Sequence, residues 1–125
     1  MTVNLVAAWI GFLLGCLAGA AGGLFFRGED WLGGYGSWRR RMTRLGHVSF
    51  FGIGLLNLSF ALTARALGLA DGLLAPSVLL LVGAVTMPLT CYLAAWREAF
   101  AHAFVVPAGA VIVAVALFVA RLVGP

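Results

Sequence analysis

The sequence predicts an all-α integral membrane protein, with four transmembrane helices in an up-down-up-down bundle and both chain ends on the non-cytoplasmic side. Three observations lead there. The chain is 63% hydrophobic and only 10% charged, whereas soluble domains are roughly one quarter charged. Four stretches, about 3–26, 47–67, 77–96 and 103–122, reach the roughly 20 apolar residues that a helix needs to cross the hydrocarbon core. The remaining loops, about 27–46, 68–76 and 97–102, leave no room for a soluble catalytic domain, so residues 1–125 read as one four-helix membrane domain. Helices this apolar all round satisfy their backbone groups within lipid rather than lie on its surface, and short connections make sequential helices antiparallel neighbours.

Arginine sets the orientation. Basic residues in short loops stay on the cytoplasmic side; Arg27, Arg39, Arg40, Arg41 and Arg44 fall in the first loop and Arg97 in the third, while Arg65 and Arg121 stand at the other helix ends, where they can snorkel to headgroups. The chain has no lysine, and its net charge of +4 is concentrated in that first loop. Anionic lipid headgroups at the Arg39–Arg44 cluster account for it. Trp31, Tyr35 and Trp38 lie nearby, but as interfacial belt residues, so no nucleic-acid partner is expected. The expected location is a bacterial inner membrane.

In the first helix, Ala18-x-Ala20 imitates a signal-peptide cleavage site. No basic segment precedes it, and the apolar run is longer than the roughly 7–15 residues of a signal core, so a retained helix is expected. Gly11, Gly15, Gly19 and Gly23 recur every four residues along it. In lipid, helices associate where small residues let backbones approach, so this stripe predicts close packing against a neighbour in the same bundle, a second subunit or a flat cofactor.

The second helix carries His47, Gly54 and Arg65 near one line, with Asn57 on its flank. Polar groups at membrane depth usually face the bundle interior, although His47 can equally mark the headgroup level. In the third helix, Pro88 predicts a kink whose freed carbonyl Thr86 or Thr90 helps satisfy, and Thr90 joins Asn57 as an expected interior polar residue. Met87 and Cys91, one turn apart, are soft donors of the kind that select copper, and equally ordinary packing residues. Cys16 and Cys91 both fall within spans and are expected to be free thiols.

A loose repeat links the two cytoplasmic turns. Tyr35, Trp38 and Arg39 precede His47, and Tyr92, Trp96 and Arg97 precede His102. Both histidines then stand near the starts of helices running outward, at similar depth, which is the arrangement that axial ligation of a b-type haem requires. Gly46, Gly54, Gly109 and the glycine stripe leave space for a macrocycle, and Arg39, Arg44 or Arg97 can pair with its propionates. In helix count and this one histidine pair, the chain resembles the four-helix membrane cytochromes that hold haem between histidines and exchange electrons with quinone. That resemblance implies His47 and His102 as metal ligands.

No carboxylate lies within a predicted span and no Ser/His/Asp set occurs; Glu29 and Asp30 sit in the first loop beside Arg27, where exposed acids are usually solvated or paired with arginine. A stand-alone enzyme is therefore not expected. The reading is a small subunit of a larger membrane complex, redox or respiratory in type, associated with other membrane subunits or with itself and carrying haem b between His47 and His102. Its alternatives are a structural accessory subunit without a cofactor, or a small transporter or channel built on the hairpin repeat, Pro88 and Asn57.

Overall fold

The structure, a computed structural model, describes residues 1–124. Four helices make up the bundle: α1 (Thr2–Phe25), α2 (Trp38–Ala66), α3 (Leu74–Trp96) and α4 (Val105–Val123). Short 3-10 segments occupy Trp31–Gly33 and Glu98–Phe104, the second leading into α4. Each of the four, the last taken together with the 3-10 segment before it (Glu98–Val123), is long and apolar enough to cross a membrane.

Helix ends depart from the hydropathy boundaries. The second helix begins at Trp38 instead of residue 47, because hydropathy marks where lipid begins and not where helical hydrogen bonding begins. The Ser37 hydroxyl caps the new start by accepting from the Arg40 amide at 3.2 Å, satisfying one orphan N–H of the first turn. At about 1.5 Å per residue, the 29 residues of α2 span about 43 Å against a hydrocarbon core of about 30 Å. His47 therefore lies nine residues inside α2, not at its start. The fourth α-helix starts at Val105, so His102 precedes it, exposed, in the 3-10 segment.

Packing follows chain order: α1 against α2, α2 against α3 and α3 against α4, with a lighter contact from α1 to α3. Glycine sets the close approaches. A Cβ on Gly11 would lie 3.2 Å from the Phe50 carbonyl oxygen, one on Gly15 2.7 Å from the Phe51 ring and one on Gly19 2.6 Å from the His47 ring. These three glycines of the stripe are thus used within the chain, against α2. Gly23, like Gly22, has no neighbour within 4 Å of such a Cβ. Between α3 and α4, a Cβ on Gly83 would lie 2.6 Å from Val111.

An apolar core joins Phe60 and Ala64 of α2, Leu73 just before α3, Leu80 of α3 and Ala114 of α4, with the Phe60 and Phe118 rings edge to face at 4.7 Å. Beside it lies a polar clasp across three helices. Asn4 and Asn57 are both fully buried. The Asn4 amide donates to Asn57 Oδ1 at 2.8 Å and to the Ser77 carbonyl at 3.3 Å, and the Ser77 hydroxyl donates back to Asn4 Oδ1 at 2.6 Å. Asn57 in turn donates to the carbonyls of Ile53 at 3.0 Å and Leu80 at 3.3 Å. In lipid these polar groups have no water to turn to, so the shared bonds hold α1, α2 and α3 together at this end.

At the opposite end the chain turns between α1 and α2 through Leu32, Gly33 and Gly34, all at positive φ, a conformation that glycine adopts without steric penalty. Trp38 donates its indole N–H to the Ala94 carbonyl at 2.7 Å, satisfying one of the last carbonyls of α3. Arg40, within the Arg39–Arg44 cluster, turns inward. It is 3% exposed, donates to the Phe26 carbonyl at 3.2 Å and to those of Gly28 and Glu29 at 3.4 Å, and stands over the Phe26 ring at 4.4 Å.

Candidate functional site

Two cavities run along one side of the bundle. The larger, about 550 Å³, is a trough whose walls are Ala7, Ile10, Gly11 and Leu14 of α1 and Leu81, Ala84, Val85, Pro88 and Leu89 of α3, over a floor of Phe50, Ile53 and Gly54. It exists because α1 and α3 both pack on α2 and touch each other only lightly. Ala7 and Ala84 are small residues of its walls, while the room left by Gly11 and Gly54 is taken by the Phe50 carbonyl and the Phe12 ring. Of the side chains that line it, only that of Tyr92, at one end, carries a polar atom.

Pro88 belongs to this wall. Helix α3 runs unbroken through it, and the Thr86 hydroxyl bonds its own i−4 carbonyl, Val82, at 2.7 Å. The carbonyl that loses its donor to proline is that of Ala84, four residues back, and Ala84 and Pro88 both line the trough. Thr90 is buried.

Tyr92 also lines the second cavity, about 300 Å³, and is the one residue common to both linings. Ala18, Gly19, Gly22 and Gly23 of α1 bound this chamber on one side, Thr43, Arg44, His47 and Val48 of α2 on another, and Phe26 and Trp31 of the connecting loop close it. Gly22 and Gly23 present bare backbone to it. The His47 ring stands edge to face with Phe51 at 5.4 Å, and its Nδ1 is buried without a hydrogen-bond partner. The Arg44 guanidinium stacks over the Tyr35 ring at 4.2 Å and donates one hydrogen bond, to the Tyr35 carbonyl at 3.3 Å.

The residues singled out in the sequence therefore separate into groups. His47, Arg44, Gly19 and Gly23 meet at the chamber; Gly11 and Gly54 lie in the trough. Gly15 is covered by Phe51. His102 and Arg97 are exposed and line neither space; the Arg97 guanidinium stands over the Trp96 ring at 5.7 Å. Asn57 belongs to the clasp. Both cysteines are free, Cys16 exposed and Cys91 buried, the latter close to Gly46. Among the described residues, no group of three or more His, Cys, Asp or Glu side chains is placed to hold a metal ion.

Sequence reasoning missed the trough, Asn4, Ser77 and the special position of Arg40. A signal for the trough does exist: Ala7 and Gly11 on α1, with Gly54 on α2 and Ala84 on α3, place small residues where three apolar helices meet. Comparison with family models, with characterised proteins and with solved structures returns no match.

Proposed function

We propose that this chain is a small accessory subunit of a larger membrane complex, resident in a bacterial inner membrane, and that its own contribution is to hold an amphiphilic ligand between α1 and α3. One observation carries the reading. An apolar trough of about 550 Å³ and a chamber lined by Arg44 and His47 share Tyr92 as a common wall residue, so a single molecule with a long apolar part and a polar head, laid past that ring, would match both spaces. The up-down-up-down course fits the contacts: Asn4, Gly11, Gly15 and Gly19 meet Asn57, Gly54, Phe51 and His47, rising numbers on α1 against falling numbers on α2. With the arginines of the first loop facing the cytoplasm, both chain ends lie outside and the chamber lies toward the cytoplasmic leaflet.

Filling the trough tests this. Ala84→Phe places a ring between α1 and α3 without disturbing the chamber. The lipid or quinone carried through detergent purification, measured by organic extraction and mass spectrometry, is expected to fall from a stoichiometric amount to a trace, while helix content by circular dichroism is kept. Wild-type protein that carries no amphiphile, or a variant that carries as much as wild type, overturns the reading.

A haem held by His47 and His102 draws support from one observation, the His47 ring beside the bare backbone of Gly22 and Gly23. It needs a second axial ligand, and His102 stands exposed outside the chamber. Protein purified with haem supplied is expected to show no Soret band; a band that disappears in both His47→Ala and His102→Ala would instead establish the cytochrome reading.

A further inference from the structure

We infer that the ligand is a monoanionic phospholipid of the surrounding bilayer, its headgroup phosphate paired with Arg44 and one acyl chain lying along the trough. The inference rests on the amphiphile reading and adds the chemistry of the head. Arg44 is half-buried and faces a chamber lined by no carboxylate. Its contact with the Tyr35 ring and its bond to the Tyr35 carbonyl draw the guanidinium to one side while occupying one of its five donors. A planar cation with further N–H donors, lining a chamber beside an apolar trough, suits a phosphate oxygen pair, which guanidinium binds in bidentate fashion.

The same chamber discriminates between headgroups. A zwitterionic lipid brings an ammonium group as well as a phosphate, and with Arg44 present and no carboxylate among the lining residues that second charge meets only a like charge. A headgroup with a single negative charge and hydroxyls meets no such penalty; Thr43, whose hydroxyl donates to the Arg39 carbonyl at 2.8 Å and so can only accept, and the His47 ring at the chamber wall are its polar neighbours. The bare backbone of Gly22 and Gly23 leaves room for a glycerol unit, because a Cβ at either position would meet nothing within 4 Å. Tyr92, shared by both spaces, stands where the headgroup region gives way to the acyl chain, a level at which tyrosine is favoured.

This differs from diffuse attraction of a basic loop to an anionic leaflet, to which every exposed arginine contributes alike. Arg39 supplies the contrast. It is exposed and borders a separate cavity formed with Trp38, Trp96 and Glu98, so it shares the loop's charge without facing the chamber.

The experiment is native mass spectrometry of the full chain released from micelles doped with equal amounts of phosphatidylglycerol, phosphatidylcholine and phosphatidylethanolamine. Wild type is expected to retain phosphatidylglycerol about tenfold over the other two, a preference worth about 1.4 kcal/mol. Arg44→Gln, which keeps an aliphatic stem beside Tyr35, is expected to bring the three lipids close to parity through loss of phosphatidylglycerol; Arg44→Lys keeps the charge without the fork and is expected to fall between. Arg39→Gln is expected to leave the preference intact. Equal retention of all three lipids by wild type, or an equal loss of preference from Arg39→Gln and Arg44→Gln, overturns the inference and leaves the amphiphile reading standing. Absence of any retained lipid from wild type overturns both.

Discussion

Asn57→Ala is expected to destabilise the folded bundle by about 2 kcal/mol, with about half of that loss disappearing when Asn4 is already alanine. The side chain is fully buried and makes three hydrogen bonds, accepting from Asn4 and donating to Ile53 and Leu80. Within membranes a single side-chain hydrogen bond averages only about 0.6 kcal/mol, because the separated helices also find partners. The larger share of the effect comes from what truncation leaves behind. The Asn4 NH2 group loses its 2.8 Å acceptor, keeping only the longer contact to the Ser77 carbonyl, and a buried donor without a good partner costs about 1–3 kcal/mol. A cavity at the junction of three helices adds to this.

Two further variants separate these contributions. Asn57→Leu keeps the branched shape of the side chain with larger, apolar ends, so its loss reports the polar part without a cavity. Asn4→Ala removes the partner instead. The measurement is thermal or denaturant unfolding in detergent, followed by far-ultraviolet circular dichroism. Strict additivity of the Asn4 and Asn57 losses would mean that the clasp does not couple α1 to α2, and that glycine packing alone docks the first helix.

Hydropathy is sufficient to find four helices in this chain, because lipid enforces the length of each apolar run. It fails at their ends for the same reason. Trp38–Gly46 is helical but polar, and a helix that projects past the bilayer has no hydropathy signature. Helical periodicity places Asn57 on the polar edge of α2, yet nothing local names its distant partners, which are Asn4, 53 residues away in α1, and the Leu80 carbonyl of α3. Asn4 sits in the first turn of an apolar helix, where an amide reads as an interfacial residue.

The glycine repeat is a different case. Its spacing identifies one face of α1, but not where along that face packing stops. Gly11, Gly15 and Gly19 meet α2, whereas Gly22 and Gly23 border the chamber. The distinction depends on the chain after Phe26, which turns away and carries Trp31 over the gap. Trough and chamber are both consequences of how three helices share contacts, a non-local property that no spacing in one helix reports. The paired histidines illustrate the converse: their similar sequence surroundings place His47 nine residues into α2 and His102 ahead of α4.

Arg40→Ala is expected to speed cleavage by trypsin after Arg27 by about tenfold or more, through local opening of the loop between α1 and α2. By sequence Arg40 is one of several arginines in a row. In the fold it is the group around which that loop closes. Its guanidinium reaches from the first turn of α2 back to the carbonyls of Phe26, Gly28 and Glu29, just beyond the C-terminal end of α1, where unsatisfied carbonyls favour a cation. Phe26, Trp31 and Tyr35 surround it, with ring centroids at 4.4, 5.6 and 5.3 Å. Burying a charge without a carboxylate partner is expensive, and Nε is left unpaired; three carbonyls and three ring faces supply the compensation. Lysine cannot reproduce it, since an ammonium neither forks across several carbonyls nor lies flat against rings, so Arg40→Lys should open the loop nearly as far. Cleavage after Arg65, exposed near the far end of α2, separates local from global effects. If its rate rises in step with cleavage after Arg27, the variant has loosened the whole bundle and Arg40 is not specific to the loop. If Arg27 alone becomes labile, lipid retention should fall as well, because Phe26 and Trp31, which Arg40 holds in place, are also walls of the chamber.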